Sequence, residues 1–528
     1  MISSPSTTHT PPTSTDAATP ACTLPALPNR ALNIHPHPRP PNPCAPASER
    51  FLAFESHSGF HNQGAALVNA LTLAKLLNRT LLLPPARLGD AASWRADLHA
   101  ASLPRQERCK TQAIAGGPLG KECTAHRQPH PDRWTYVGWD LLMEPGFLAG
   151  HDVVDRWDSS QSWLERPRSE GGLGLGPDDV HVFPDEAKHS YQLYDSRATP
   201  DHRNATWARR IDIPDLLAPP FADKKLLHFG SLFYYARLDL SDAGAQPVKD
   251  AIYASMILAE PGLVAVSDAI KRRLGTYVGV HLRMGDGIFA ATADATFPVI
   301  FRNLVEDVLG LDGGEVDRLL ARPGAGPDDD GGDGVRGSKP RSSVLQRQRQ
   351  RRNRQLTHGD GDAAPLTRRS EYVQPYWPPP TTLPLSRSLS CRGRLHPADS
   401  PLAPLNTPVF VATDARAPAT LAPFAPFFAH LPCLFTLDDF ASTSPLNNNE
   451  PVAELAALAS DAWVSEWDGL PLARHFFGLA DAMTAAKGDA FLGTPASTFS
   501  EYAKSILHNH YVTEWLERDT SGSEGEDS

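Results

Sequence analysis

Short apolar runs and helix-spaced apolar positions alternate along most of the chain. Phe51 to Phe54 reads as a short buried strand. Leu67, Leu71, Ala74 and Leu77 then recur on one helical face. Leu81 to Leu83 forms a second strand, stopped by Pro84-Pro85. Further strands are predicted at Tyr277–Val280, Val409–Ala412 and the run ending in Phe491-Leu492. This alternation predicts parallel α/β architecture. It occupies two blocks, 49–310 and 406–517, with no internal repeat.

Composition limits what surrounds those blocks. Fifty prolines in 528 residues is about twice the usual share of ~5%. Proline lacks the donor that helices and strands need, so the excess belongs elsewhere. Residues 1–48 hold twelve prolines among Ser, Thr and Ala and read as disordered. Residues 311–405 read likewise, through GPDDDGGDG, RSSVLQRQRQRRNRQ and YWPPPTTLPLSRS. Basic residues cluster there from Arg336 to Arg369. Three readings of that segment stand: a solvated insertion, a nucleic-acid or localisation patch, and translated non-coding sequence. The tail 518–528 is acidic. A net charge of −11 argues against nucleic-acid binding through bulk charge. No apolar run approaches the roughly 18–20 residues of a membrane span, which predicts no span. The first residues lack the basic and apolar regions of a secretory signal, which predicts a cytosolic protein or a start other than the biological one.

Candidate chemistry gathers in four loops at strand carboxyl ends. After Phe54, Gly59 breaks the pattern and permits positive φ or close backbone approach. The following helix N-terminus offers free N–H groups. After Val280 come His281 and Arg283, predicted to share a face. An arginine there needs a negative partner, either Asp286 or a phosphate. After Ala412 comes Asp414, a helix cap or an acceptor for a nucleobase or ribose. After Leu492, Thr498 and Glu501 match a capping box, beside Ser497. Two such loops in each block suit a phosphate or nucleotide. They predict two Rossmann-like domains facing across a cleft, over 49–275 and over 276–310 with 406–517.

The segments SGFHNQGAALVNALTLAKLLNRTLLLPP, LLHFGSLF, YVGVHLRMGDG, PVFVATDA and FLGTPASTFSEY resemble, in order and approximate spacing, the motifs of the GDP-fucose protein O-fucosyltransferase family, in particular its divergent fungal-type members. The resemblance implies a GT-B fold and inverting, metal-independent transfer of fucose from GDP-fucose to a Ser or Thr hydroxyl of a protein. It implies that Arg283 binds the β-phosphate and stabilises departing GDP, with His281 in the same pocket. It implies that Gly59, Phe60 and Asn62 shape the first loop around the donor, and that Asp414 contacts guanosine. Ser497, Thr498 and Phe499 would hold the diphosphate and base. No metal or other cofactor is expected. A glycan acceptor, or a catalytically silent nucleotide-sugar-binding relative, are the alternative readings. The family suggests the ER or Golgi lumen.

Departures from the pattern matter too. Ser58 stands where some members carry a glutamate, His61 where an asparagine is common, and Met284 where a second arginine is common. The glutamate base therefore does not carry over. Glu55, His57 and His61 lie nearby, and departure of the leaving group without an enzymic base is the preferred mechanism. Cys109 and Cys123 are expected to pair in an oxidising compartment, and Cys433 to be a core residue. Of the sequons at Asn78 and Asn204, only Asn204 reads as usable. Trp134, Trp139 and Trp157 are expected to pack the first domain.

Overall fold

A computed structural model of the chain describes residues 48–94, 102–124, 130–155, 161–170, 172–187, 189–201, 207–241, 244–285, 287–321, 389–441, 450–460 and 463–513. The chain divides into two compact units. The first comprises Met1–Ser267, Ala453–Met483 and Ala496–Ser528; the second comprises Asp268–Val452 and Thr484–Pro495. The sequence pattern put all of 406–517 in the second domain. The structure returns two of its pieces to the first unit.

The strands, in chain order, are β1 (Phe51–Phe54), β2 (Thr80–Leu83), β3 (Ala86–Gly89), β4 (Trp134–Val137), β5 (Val153–Asp155), β6 (Val180–Phe183), β7 (Tyr191–Tyr194), β8 (Arg209–Asp212), β9 (Leu226–Phe229), β10 (Leu238–Asp239), β11 (Val278–Leu282), β12 (Val409–Thr413), β13 (Leu434–Phe435) and β14 (Ala490–Gly493). In the first unit a parallel sheet runs β5-β2-β1-β9-β6. A smaller parallel sheet runs β10-β7-β8, and β3 pairs antiparallel with β4. Helix α1 (Phe60–Leu76) carries the chain from β1 to β2, the predicted βαβ unit. It is buried along most of its length, which explains apolar and small residues on nearly every side. The core beside β1 gathers Phe51, Ala53, Leu82, Val154, Trp163 and Leu226. Trp134 and Trp139 are buried as expected; Trp157 lies outside the described residues.

The second unit is built on the parallel sheet β13-β12-β11-β14. Taken in chain order, these four strands stand 3-2-1-4, the order of the first half of a doubly wound fold. Val278 pairs with Val409 on one side and Ala490 on the other. Gly279 is required in the centre, because a Cβ there would lie 1.8 Å from the Ala485 carbonyl oxygen. Phe297, Phe301, Leu304 and Val305 cover the sheet together with Phe424 and Phe427.

Several expectations change. The segment 311–405 is not wholly without structure: Gly313–Ala321 is a helix, and Cys391 is bonded to Cys433. Cys433 is buried as expected, but as half of a disulfide. Cys109 and Cys123 are also paired. Residues 1–47, 322–388, Asn204 and 514–528 lie outside the described residues. Asn78 is exposed, although it joins a helix to a buried strand. One helix among the described residues, Gly287–Val308, is long and apolar enough to cross a membrane by length and composition, with mean hydropathy 1.2. Counting unbroken apolar runs missed it because Asp294 and Arg302 interrupt it.

At the start of β14, Asp489 takes a hydrogen bond from the Tyr277 amide at 3.0 Å. Burial pushes its carboxyl up to about 6, against the opposing pull of Lys271 and that amide. The unfolded chain loses this proton near 3.9, the folded chain only near 6. Stability is therefore present at low pH and falls as pH rises from about 4 to 6, by on the order of 2 kcal/mol. Asp489→Asn should remove that part of the slope and be the more stable form at pH 7, as urea unfolding of both proteins at pH 4 to 7 will show.

Candidate functional site

In open parallel sheets, ligands take the crevice at strand carboxyl ends where the strand order reverses. In the second unit that point lies between β11 and β14, and Arg283 follows β11 there. Two threonines fix the end of the strand. Thr494 Oγ1 donates to the His281 carbonyl at 3.0 Å and accepts from the Arg283 amide at 2.9 Å. From β12, Thr413 Oγ1 donates to the Leu282 carbonyl at 2.7 Å. The turn beyond is held by Asp414. Its Oδ1 accepts from the Met284 amide at 2.8 Å and the Gly285 amide at 3.0 Å. Its Oδ2 lies 2.9 Å from Arg283 Nε. Gly285 is needed for this closeness, since a Cβ would come within 2.6 Å of the carboxylate.

The arginine therefore has an acidic partner in Asp414; Asp286, the acid considered from the sequence, lies outside the described residues. The pair is partly open, with the Arg283 side chain 31% exposed. Such a pair contributes about 1 kcal/mol or less to stability. It orients the guanidinium, which also lies 5.8 Å from the Phe289 ring centre. His281 is 2% exposed, so strand alternation does not bring both side chains equally to the surface.

The corresponding point of the first unit lies between β1 and β9. It is closed by buried polar pairs. Glu55 Oε1 meets His228 Nε2 at 2.8 Å, and His57 Nε2 meets Ser231 Oγ at 2.8 Å. Two of the three residues weighed as a base, Glu55 and His57, are thus engaged in the interior. Gly59 has φ −75° and caps α1 with open space at its Cβ position. The left-handed residue is Ser58, at φ 65°, so the predicted role of glycine shifts by one position. Gln63, overlooked in the motif, bonds both the amide and the carbonyl of Arg87 at 2.9 Å. Asn62 is half-buried, and its Oδ1 is enclosed without a hydrogen-bond partner.

Phe60 stacks on Trp139 at 5.4 Å, and His61 meets Phe499 edge-on at 4.7 Å. Phe60 and His61, with exposed Thr498 and with Tyr234, Tyr235 and Tyr502, border a largely apolar cavity of about 470 Å³. The helix Thr498–Tyr502 is capped by Ser497, whose Oγ accepts from the Ser500 amide at 3.4 Å. The predicted box on Thr498 is therefore one residue out of place. The structure thus gathers Arg283, His281 and Asp414 in the second unit, and Gly59, Phe60, Asn62, Ser497, Thr498 and Phe499 in the first. Thr494 and Thr413 escaped the sequence reading, because a threonine at a strand end carries no signal until the neighbouring strand is known. Among the described residues, no group of three His, Cys, Asp or Glu side chains could hold a metal ion.

No family model matches the chain, and no curated protein matches it. Among solved structures it is similar to POFUT1 in complex with GDP-fucose, at 12% identity and TM-score 0.32, over 87% of this chain and 94% of that one. It is similar to POFUT1 in complex with GDP at 12% identity and TM-score 0.33, over 87% and 95%. The apo form of POFUT1 gives 13% identity and TM-score 0.31, over 87% and 95%. Values this low assign no role to any residue here.

Thr494→Val keeps the side-chain shape but removes the hydroxyl from a buried position. It should destabilise the protein by about 1–3 kcal/mol, the cost of an unpaired buried amide. Thr494→Ser should restore most of that loss in denaturant titrations of the three proteins.

Proposed function

We propose that the protein is a glycosyltransferase that moves fucose from GDP-fucose to a hydroxyl of a protein acceptor. The observation that carries this reading is Arg283, held by Asp414 at the reversal point of a 3-2-1-4 parallel sheet. A guanidinium so placed suits a diphosphate, which it can clamp through two parallel N–H groups. The motif series around it, HLRMGDG with VATD and GTPASTFS, supports the choice of donor.

In the reaction, the bond between the sugar anomeric carbon and the β-phosphate oxygen breaks, and its electron pair stays on the phosphate. The acceptor oxygen bonds to the anomeric carbon, and its proton passes to the departing diphosphate or to water. Charge grows on the phosphate as the bond breaks, so a fixed guanidinium favours the transition state over the bound donor. Asp414 serves this by holding the guanidinium and the Met284 and Gly285 amides in one arrangement before the donor arrives. Glu55 and His57 are committed to His228 and Ser231, which supports a reaction led by departure of GDP.

GDP and GDP-fucose should raise the melting temperature of the wild-type protein. Arg283→Ala should erase that rise and lower transfer by at least ~10²-fold, with unchanged melting of the ligand-free protein. Arg283→Lys, which keeps charge without the fork, should recover only part. GDP binding that is indifferent to Arg283→Ala would overturn the assignment. Assays with folded domains and with free oligosaccharides as acceptors will separate protein from glycan transfer.

A further inference from the structure

The first unit holds a second cavity, of about 380 Å³, at the carboxyl end of β1 and beneath helix α2 (Leu103–Ile114). None of the residues discussed as donor contacts lines it. Its wall contains Arg87, only 4% exposed. The Arg87 guanidinium lies 3.8 Å from the Trp134 ring centre. Nε donates to the Asp90 carbonyl at 2.9 Å and Nη1 to Gln106 Oε1 at 2.7 Å. Nη2 is enclosed with no acceptor in good hydrogen-bond geometry, although the Tyr136 side chain adds a hydrogen-bonding attraction to the guanidinium. A buried donor left so is unfavourable, and such a group calls for an acceptor that arrives from outside the chain.

The rest of the lining decides what kind of acceptor. Lys110 is spent internally, on Asp468 Oδ2 at 2.8 Å and the Pro131 carbonyl at 2.7 Å. Glu55, Glu107 and Asp468 bring three carboxylates against the two cations. An anionic ligand would meet net repulsion there. A cation or a hydrocarbon would leave Arg87 Nη2 unsatisfied. Glu107 accepts a hydrogen bond from the Tyr136 hydroxyl, yet a carboxylate has room for several donors. Trp467 supplies an apolar ring surface. The volume lies in the range of small-molecule sites.

We infer that this cavity binds a neutral saccharide ring, one hydroxyl oxygen accepting from Arg87 Nη2 and another hydroxyl donating to the Glu107 carboxylate. As a statement about binding it does not depend on fucose transfer. GDP recognition through Arg283 can fail while this holds, and the reverse.

Saturation-transfer NMR of the full chain with a panel of neutral methyl glycosides tests it, with methyl glucuronide, a sugar phosphate and cyclohexanol as controls. At least one neutral glycoside should bind more tightly than all three controls. Glu107→Gln should weaken it about tenfold or more. Ile114→Trp, at a cavity-lining position that is 52% exposed, should block it without disturbing the buried network. The inference is overturned if no neutral glycoside binds, if a control binds better, or if binding survives both substitutions.

Discussion

One carboxylate organises the end of the central strand of the second unit. Where β11 stops, its backbone groups lose their sheet partners, and such groups must be satisfied or pay for exposure to a dry interior. Asp414 takes the two amides that follow and the guanidinium beside them. Thr413 and Thr494 take the last carbonyls and the Arg283 amide from either side. The arginine can stand at the sheet reversal because the two neighbouring strands hold it from either side, β12 through Thr413 and Asp414 and β14 through Thr494. Its direction is a property of the sheet, not of the residue.

The first unit solves a different problem. It buries charge in the interior, where an unpaired ion is costly. Lys110 and Asp468 meet at 2.8 Å with both side chains nearly inaccessible. Burial alone would drive Lys110 well down from its usual value, and Asp468 opposes this. Thr135 donates to the same carboxylate at 2.8 Å. Pairs of this kind add little net stability, because desolvation offsets attraction, but a single partner left alone is strongly unfavourable. That asymmetry fixes where the segment Ala453–Met483 must return, and it explains why a late stretch of chain belongs to the first unit.

Legibility followed the range of the interaction that decides each feature. The strand at Phe51–Phe54, the helix after it and the strand over Leu81–Leu83 could be read from apolar spacing, because burial acts on every residue in turn. So could the strands that carry Arg283, Asp414 and Thr494 to their loops. Details set by backbone geometry slipped by one residue: the left-handed position is Ser58 rather than Gly59, and the cap is Ser497 rather than Thr498. The second slip arises because adjacent Ser and Thr hydroxyls are equally able to cap a helix.

Residue order along the chain was enough to specify α/β units on parallel sheets and an arginine at a strand end, since both follow from periodicity and local turns. Which acid faces that arginine, which threonines hold it, and which carboxylate receives Lys110 were settled only by folding. Asp414 lies 131 positions from Arg283, Thr494 lies 211 from it, and Asp468 lies 358 from Lys110. Pairs that far apart leave no periodic trace, because their meeting depends on strand order, and strand order is a choice made by the packed sheet as a whole.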